Sequence, residues 1–304
     1  MTIYTCTLNP SVDYVVQTEK VQLGSVNIAS FTDKQPGGKG INVSRMLNHF
    51  GVSSTALGFI GGFTGDFILS ALKKERIHHR FLTIQDDTRI NIKLKGKEET
   101  EINGVSPFIS DQKWSELLTE FDEIKKGDYV VLSGSVPDSL PRDTYAILAK
   151  RLKGKGVHLF ADAKGDVLKS VIEQSPFLVK PNHHELGELF GVTITSMEEA
   201  VKYGQKIIDQ GVEHVIVSMA EKGAILLHGK EAFHATVPTG KVVNSVGAGD
   251  SLVGGFLATY SQTKDVKASF AYGVAAGSAT AFSLGLGTKE KIEELVAQVT
   301  IKKI

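Results

Sequence analysis

Residues 244–256 read NSVGAGDSLVGGF: Gly247, Ala248 and Gly249, with almost no side chain among them, stand directly before the carboxylate of Asp250 and an apolar, helix-like run. Two readings are open. Asp is among the best residues for capping the free N–H groups of a first helical turn, and that role alone would explain Asp250. The other reading is an anion seat. Glycines allow close approach to the backbone, and a helix beginning there points its free amides and positive dipole end at the loop. A carboxylate at its mouth is placed to take a proton from an attacking alcohol, and a phosphoryl group in transfer would use both features.

Other segments carry similar choices. QPGGKGINVSRML (35–47) is a second Gly-rich turn feeding a helix. Gly37 and Gly38 would let backbone approach a sugar hydroxyl, Asn42 could bond another, and Lys39 offers charge; a plain turn with an exposed lysine explains them as well. The segment lacks Walker A spacing and does not follow a core strand, so it fits a dinucleotide fingerprint poorly. In VKPNHHELGELFG (179–191), Asn182 and Glu185 have the form of a capping box. Alternatively Glu185 helps hold a hydrated Mg²⁺ while Lys180 and Asn182 face polyphosphate oxygens. In VSMAEKGAILL (217–227), Ser218 and Gly223 either belong to a hairpin turn or border a nucleotide. Arg89 and Lys93 alternate with Ile90, Ile92 and Leu94 and fall on one strand face, solvated or, for Arg89, gripping a phosphate bidentately.

The elements that must position these residues alternate. Candidate strands IYTCTL, STALGFI, YVVLSG, VHLFAD, FLVKP and HVIVSMA are separated by candidate helices such as GKGINVSRMLNHFG, DQKWSELLTEFDEI, RDTYAILAKRLKG and SMEEAVKYGQKIIDQG. This pattern predicts an α/β fold, a mostly parallel sheet with helices on both faces. Residues 11–31 and 88–104 instead alternate apolar and polar residues between turn signals, as antiparallel strands with one wet face do. They predict a small sheet, a lid spanning 12–33 and 88–104, inserted in one domain covering 1–304.

Composition removes several classes. The 304 residues balance 34 Lys and Arg against 34 Asp and Glu, with no basic arm to suggest nucleic acid. The one cysteine, Cys6, cannot form an internal disulfide, and the opening MTIYTCTLNP lacks the regions of a signal peptide, so a cytoplasmic location is expected. The weakly polar stretch 270–287 is about as long as a membrane span, but its small and hydroxylated residues predict a buried, closely packed helix and no membrane partner. The nine histidines show neither a His-Glu-x-x-His pattern nor cysteine partners, and the pairs His78/His79 and His183/His184 lack zinc spacing. No Gly-x-Ser-x-Gly elbow is present.

Taken in order, GGKGINVS, KPNHHE and NSVGAGDS resemble the signatures of the PfkB family of carbohydrate kinases, which shares the ribokinase fold. The likeness runs from TLNPSVD to the Gly-rich helix near residue 285, and TLNPSVDY, TRINIKL and SGSVPDSLP are most similar to the branch containing 1-phosphofructokinase and tagatose-6-phosphate kinase. The resemblance implies a Rossmann-like core, a β-sheet lid that often joins a homodimer interface, and ATP with Mg²⁺ as phosphoryl donor. It implies Asp250 as catalytic base and Gly247, Ala248 and Gly249 as an anion hole. It implies Asp13, Gly37, Gly38, Lys39 and Asn42 around the sugar and Arg89 at the sugar's existing phosphate. Lys180, Asn182, Glu185, Ser218 and Gly223 then meet nucleotide phosphates and metal. The expected reaction is phosphorylation of fructose 1-phosphate, with tagatose 6-phosphate or fructose 6-phosphate as rival acceptors. A sugar-phosphate sensor without turnover is the rival from another class. A nicotinamide enzyme is disfavoured because no Gly-x-Gly-x-x-Gly turn follows the first strand.

Overall fold

The computed structural model describes residues 1–96 and 99–304. Strands β1 (Ile3–Thr7), β2 (Ser11–Gln17) and β3 (Phe31–Gly37) lead into α1 (Lys39–His49), followed by β4 (Thr55–Ile60), α2 (Gly62–Lys74), β5 (His78–Thr83), β6 (Ile90–Lys95) and β7 (Glu99–Ile102). The chain continues through α3 (Asp111–Asp122), β8 (Tyr129–Ser133), α4 (Thr144–Leu152), β9 (His158–Asp162), α5 (Gly165–Ile172), β10 (Leu178–Val179), α6 (His183–Phe190) and α7 (Met197–Ile208). It closes with β11 (His214–Ser218), β12 (Ala224–His228), β13 (Glu231–Ala235), α8 (Ala248–Thr263), α9 (Val266–Ala281), α10 (Lys289–Val296) and β14 (Ile301–Lys303).

The large sheet has the order β14-β13-β12-β11-β10-β9-β8-β1-β4-β5. From β11 to β5 every pairing is parallel; β12, β13 and β14 extend it antiparallel. Successive side chains on each strand serve opposite faces. Cys6, Val130 and Leu132 pack with α3 to α7 on one side, while Ile3, Tyr129 and Val131 pack with α1, α8 and α9 on the other. The chain leaves β1 toward β4 on one flank and returns at β8 on the other. Such a reversal of strand order opens a crevice beyond the carboxyl ends of the strands.

The small sheet runs β3-β2-β6-β7. Its outer pairs are antiparallel as expected, but β2 and β6 pair parallel, with Val12 opposite Ile90. This corrects the all-antiparallel expectation. Alternation encodes which face a residue takes, whereas direction follows from the connection, and a long crossover through α1, β4, α2 and β5 joins these strands. Of the expected lid range 88–104, residues 97 and 98 lie outside the described residues. One face of the sheet turns toward the main body: Asp13, Gln17, Lys93 and Lys95 line a cavity together with Asn42 and Asn244.

The small-residue stretch forms most of α9, buried against α8, and among the described residues no helix is long and apolar enough to cross a membrane. Gly255 and Gly273 let these two helices approach closely. A Cβ on Gly255 would stand 2.8 Å from both Tyr272 O and Ala276 Cβ. Gly255→Val is therefore expected to lower stability by about 1–3 kcal/mol through overpacking, despite the gain in helix propensity. Urea unfolding checks this, and an unchanged or raised midpoint would show that the helices have room to part.

Candidate active site

The crevice residues come from strand ends and helix starts. Lys39 is the first residue of α1 and Asp250 the third residue of α8, while Asp162 closes β9 and Lys180 follows β10. Gly38 precedes α1 at φ +122°, and Gly247 precedes α8 at φ +79°, conformations that side-chain-bearing residues rarely adopt. Both turns deliver a helix N-terminus to the same place.

Asp250 is 6% exposed and makes no capping bond; Asn42 Nδ2 instead donates to its Oδ2 at 2.8 Å. The cap reading therefore fails for this residue. Ala248 N–H donates to Ser245 O at 3.2 Å, so it is committed to the turn. Among the described residues the amides of Gly247, Gly249 and Asp250 have no acceptor, which leaves three donors for an anion. Lys180 Nζ lies under this turn, 3.2 Å from where a Cβ on Gly249 would be.

Sequence reasoning missed the residue at the centre. Asp162 is almost wholly buried; Lys39 Nζ donates to its Oδ1 at 2.9 Å, and Lys180 Nζ stands 3.4 Å from Oδ2. Its only signal was an acidic residue ending a predicted parallel strand, where α/β sheets place ligands. Burial opposes ionisation of Asp162, but Lys180 and Lys39 outweigh it and hold its pKa below the usual carboxylate value. Burial likewise opposes the charge on Lys39, yet Asp162, Asp250 and Glu185 outweigh it and raise that ammonium's pKa. Asp250 goes the other way. Burial first, then repulsion from Asp162, pushes its carboxyl up to about 6, against Lys39, the Asn42 hydrogen bond and Lys180.

The remaining candidates surround this centre unevenly. Asn182 and Glu185 form the capping box: Asn182 Oδ1 accepts from Glu185 N and Glu185 Oε2 from Asn182 N, each at 2.8 Å. Glu185 keeps its second oxygen for another ligand, and a backbone bridge joins Asn182 to Ser218. Gly223 lies in the β11–β12 turn at φ +92°, against Ala235 O, as a hairpin requires. At the root of the small sheet, Asp13 accepts from Ser11 Oγ at 2.8 Å and Asn91 Nδ2 at 3.1 Å. Gly37 lies so close that a Cβ would meet Asp13 Oδ1 at 2.5 Å. Arg89 Nη2 donates to Asn9 O at 3.2 Å, while its buried Nε has no partner among the described residues. Lys93 is turned inward, 3.8 Å from Asp13 and 3.0 Å from Glu101, so it does not belong to a solvated face.

Residues 7–293 match the model of the pfkB family carbohydrate kinases. The chain is 52% identical over 302 residues to the 1-phosphofructokinase of Bacillus subtilis, covering 99% of this chain and 100% of that protein. It is 37% identical over 300 residues to the D-tagatose-1-phosphate kinase of Bacillus licheniformis, covering 98% and 99%. Phosphofructokinase-2 of Escherichia coli, solved in complex with substrates and products, superposes with a TM-score of 0.93 at 28% identity over 98% of this chain and 99% of that one.

The raised Asp250 pKa has a consequence for stability. The folded carboxyl holds its proton up to about pH 6, whereas an unfolded Asp releases it near pH ~4. Native stability therefore falls as pH rises through that window, and by pH 7 the cost is about 2–3 kcal/mol. Asp250→Asn should raise the urea midpoint at pH 7, with the gain shrinking toward pH 4; a lowered midpoint at pH 7 would mean the carboxylate is stabilising.

Proposed function

The chain belongs to the pfkB family of carbohydrate kinases, and from that premise we propose that it transfers the terminal phosphoryl group of ATP to the free primary hydroxyl of fructose 1-phosphate, giving fructose 1,6-bisphosphate. One observation carries the reading of the site: a buried carboxylate, excused from capping, stands on the helix turn whose amides are free.

In this reading Asp250 removes the proton of the sugar hydroxyl. A carboxyl titrating at about 6 is ionised at neutral pH yet more basic than an ordinary Asp, which suits a general base. The amides of Gly247, Gly249 and Asp250, with Lys180 beneath them, stabilise charge on the phosphoryl group; positioning and electrostatics supply most of the catalysis in such transfers. Asp13, Gly37, Gly38, Lys39 and Asn42 orient the sugar, and Arg89 meets its existing phosphate through the unpartnered Nε. Asn182, Ser218 and Gly223 border the nucleotide.

The donor set fits a hydrated Mg²⁺, because that ion takes one or two carboxylates plus substrate phosphates and Glu185 has an oxygen to spare. When bound, Mg²⁺ neutralises phosphate charge. The small sheet serves as a lid that keeps water, a competing acceptor, out of the crevice. Its other face leaves Ile90 and Ile102 exposed, and Leu23, Val26 and Ile28 in the β2–β3 connection are exposed as well, apolar surface that a second copy of the chain would cover in a homodimer. The reaction belongs to the cytoplasm, consistent with the single reduced cysteine.

The relative named for tagatose 1-phosphate favours one second reading, in which the same site takes that epimer. A coupled assay of ADP release against fructose 1-phosphate, tagatose 1-phosphate, tagatose 6-phosphate and fructose 6-phosphate tests both. Fructose 1-phosphate should give the highest kcat/KM; preference for a 6-phosphate would refute the assignment, and tight binding without product would make the protein a sensor. Asp250→Asn should lower kcat by about 10²–10⁴ with KM for ATP little changed. Near-normal turnover in that variant would remove Asp250 from the base role.

A further inference from the structure

The opposite end of the large sheet, remote from the crevice, holds a cluster that phosphoryl transfer does not use. The register of β11 and β12 sets His214 directly across from His228, and their rings stack with centroids 4.5 Å apart and planes 13° apart. Glu213 precedes His214, its Oε1 3.9 Å from His214 Nδ1. One ligand atom from each of the three residues lies within 4.8 Å of the others.

Both rings are oriented by main chain. Nδ1 of His214 faces Phe177 O at 3.3 Å, and Nδ1 of His228 faces Glu213 O at 3.0 Å. An imidazole that donates Nδ1–H to a carbonyl keeps its lone pair on Nε2, and metal-binding histidines are commonly fixed by this kind of bond. His214 is 1% exposed, and its buried Nε2 has no hydrogen-bond partner among the described residues. A buried acceptor left this way is costly unless something occupies it. Water and a positively charged ligand are the candidates, and the adjoining imidazole and carboxylate favour the latter.

We propose that Glu213, His214 and His228 form a binding site for a transition-metal dication such as Zn²⁺, with solvent completing the coordination. Two imidazoles and one carboxylate are a donor set that Zn²⁺ accepts, and imidazole donors select against Mg²⁺, which prefers oxygen. His214 is the fixed ligand. His228 and Glu213 are exposed, and His228, at the last position of its strand, would tilt about its Nδ1 bond to Glu213 O to bring Nε2 onto the ion. The bound ion would clip the first antiparallel strand of the sheet to the last parallel one. The fourteen-residue separation of the histidines fits no zinc spacing pattern because the strand register, not local sequence, brings them together.

The test uses the full chain stripped with a chelator and titrated with Zn²⁺ by calorimetry, with Co²⁺ absorption and thermal unfolding as parallel readouts. One equivalent should bind, the unfolding temperature should rise, and Co²⁺ should show the spectrum of a nitrogen-containing site. His228→Ala and Glu213→Gln, both at exposed positions, should each weaken binding about tenfold or more. Glu185→Gln, which alters the crevice, should leave it unchanged. No binding by the wild type, binding unaffected by His228→Ala, or binding lost in Glu185→Gln would each overturn the proposal.

Discussion

Asp162 sits between two lysines that arrive from different parts of the chain, Lys39 at the start of α1 and Lys180 just past β10. Asp162 and Lys180 are almost wholly buried, and removing one partner from a buried ion pair leaves an uncompensated charge that costs several kcal/mol, whereas the Lys39 side chain is 35% exposed. The triad therefore acts as a constraint on the crevice. It ties α1 to the strand ends and holds both ammonium groups at fixed positions, with Lys180 directly beneath the turn before α8. The same carboxylate repels Asp250 and so, after burial, contributes to that residue's raised pKa. One buried charge thus positions both cations and, added to burial, strengthens the hold of Asp250 on its proton.

The fold makes this arrangement available. Strand reversal on either side of β1 opens the crevice, and glycines at positive φ turn the chain sharply enough for α1 and α8 to begin inside it. Close packing of α8 on α9 fixes the direction in which the free amides point. The small sheet adds a polar wall, with Asp13 and Lys93 turned inward and Asn42 reaching from α1 to Asp250. The wall of the small sheet and Asp250 are therefore linked through one helix start, that of α1, by Asn42.

Much of this was legible in the sequence where a residue's chemistry and its local pattern coincide. The Gly-rich turn before Asp250, the capping box at Asn182 and Glu185, and the alternation of strands and helices are local signals, and each has its counterpart in the structure. Long-range pairing was not legible. Asp162 ends its strand like many polar residues, and nothing near it in the chain shows that Lys39, 123 positions earlier, will meet it. The parallel pairing of β2 with β6 depends on a crossover that alternation does not encode, and the register that faces His214 with His228 is equally silent in the sequence. Asp250 was ambiguous for a different reason: cap and base need the same residue at the same place, and only the direction of its side chain separates them.

The claim at the centre is that Asp162 tunes Asp250. Carbon-13 NMR of the Asp carboxyl groups in the ligand-free protein measures it directly, with the Asp250 signal identified by its loss in Asp250→Asn. The account predicts a midpoint near 6 in the wild type and a lower one in Asp162→Asn, where the repulsion is gone and both lysines remain. An Asp250 midpoint at the ordinary value near ~4, or one that Asp162→Asn leaves unmoved, would contradict it.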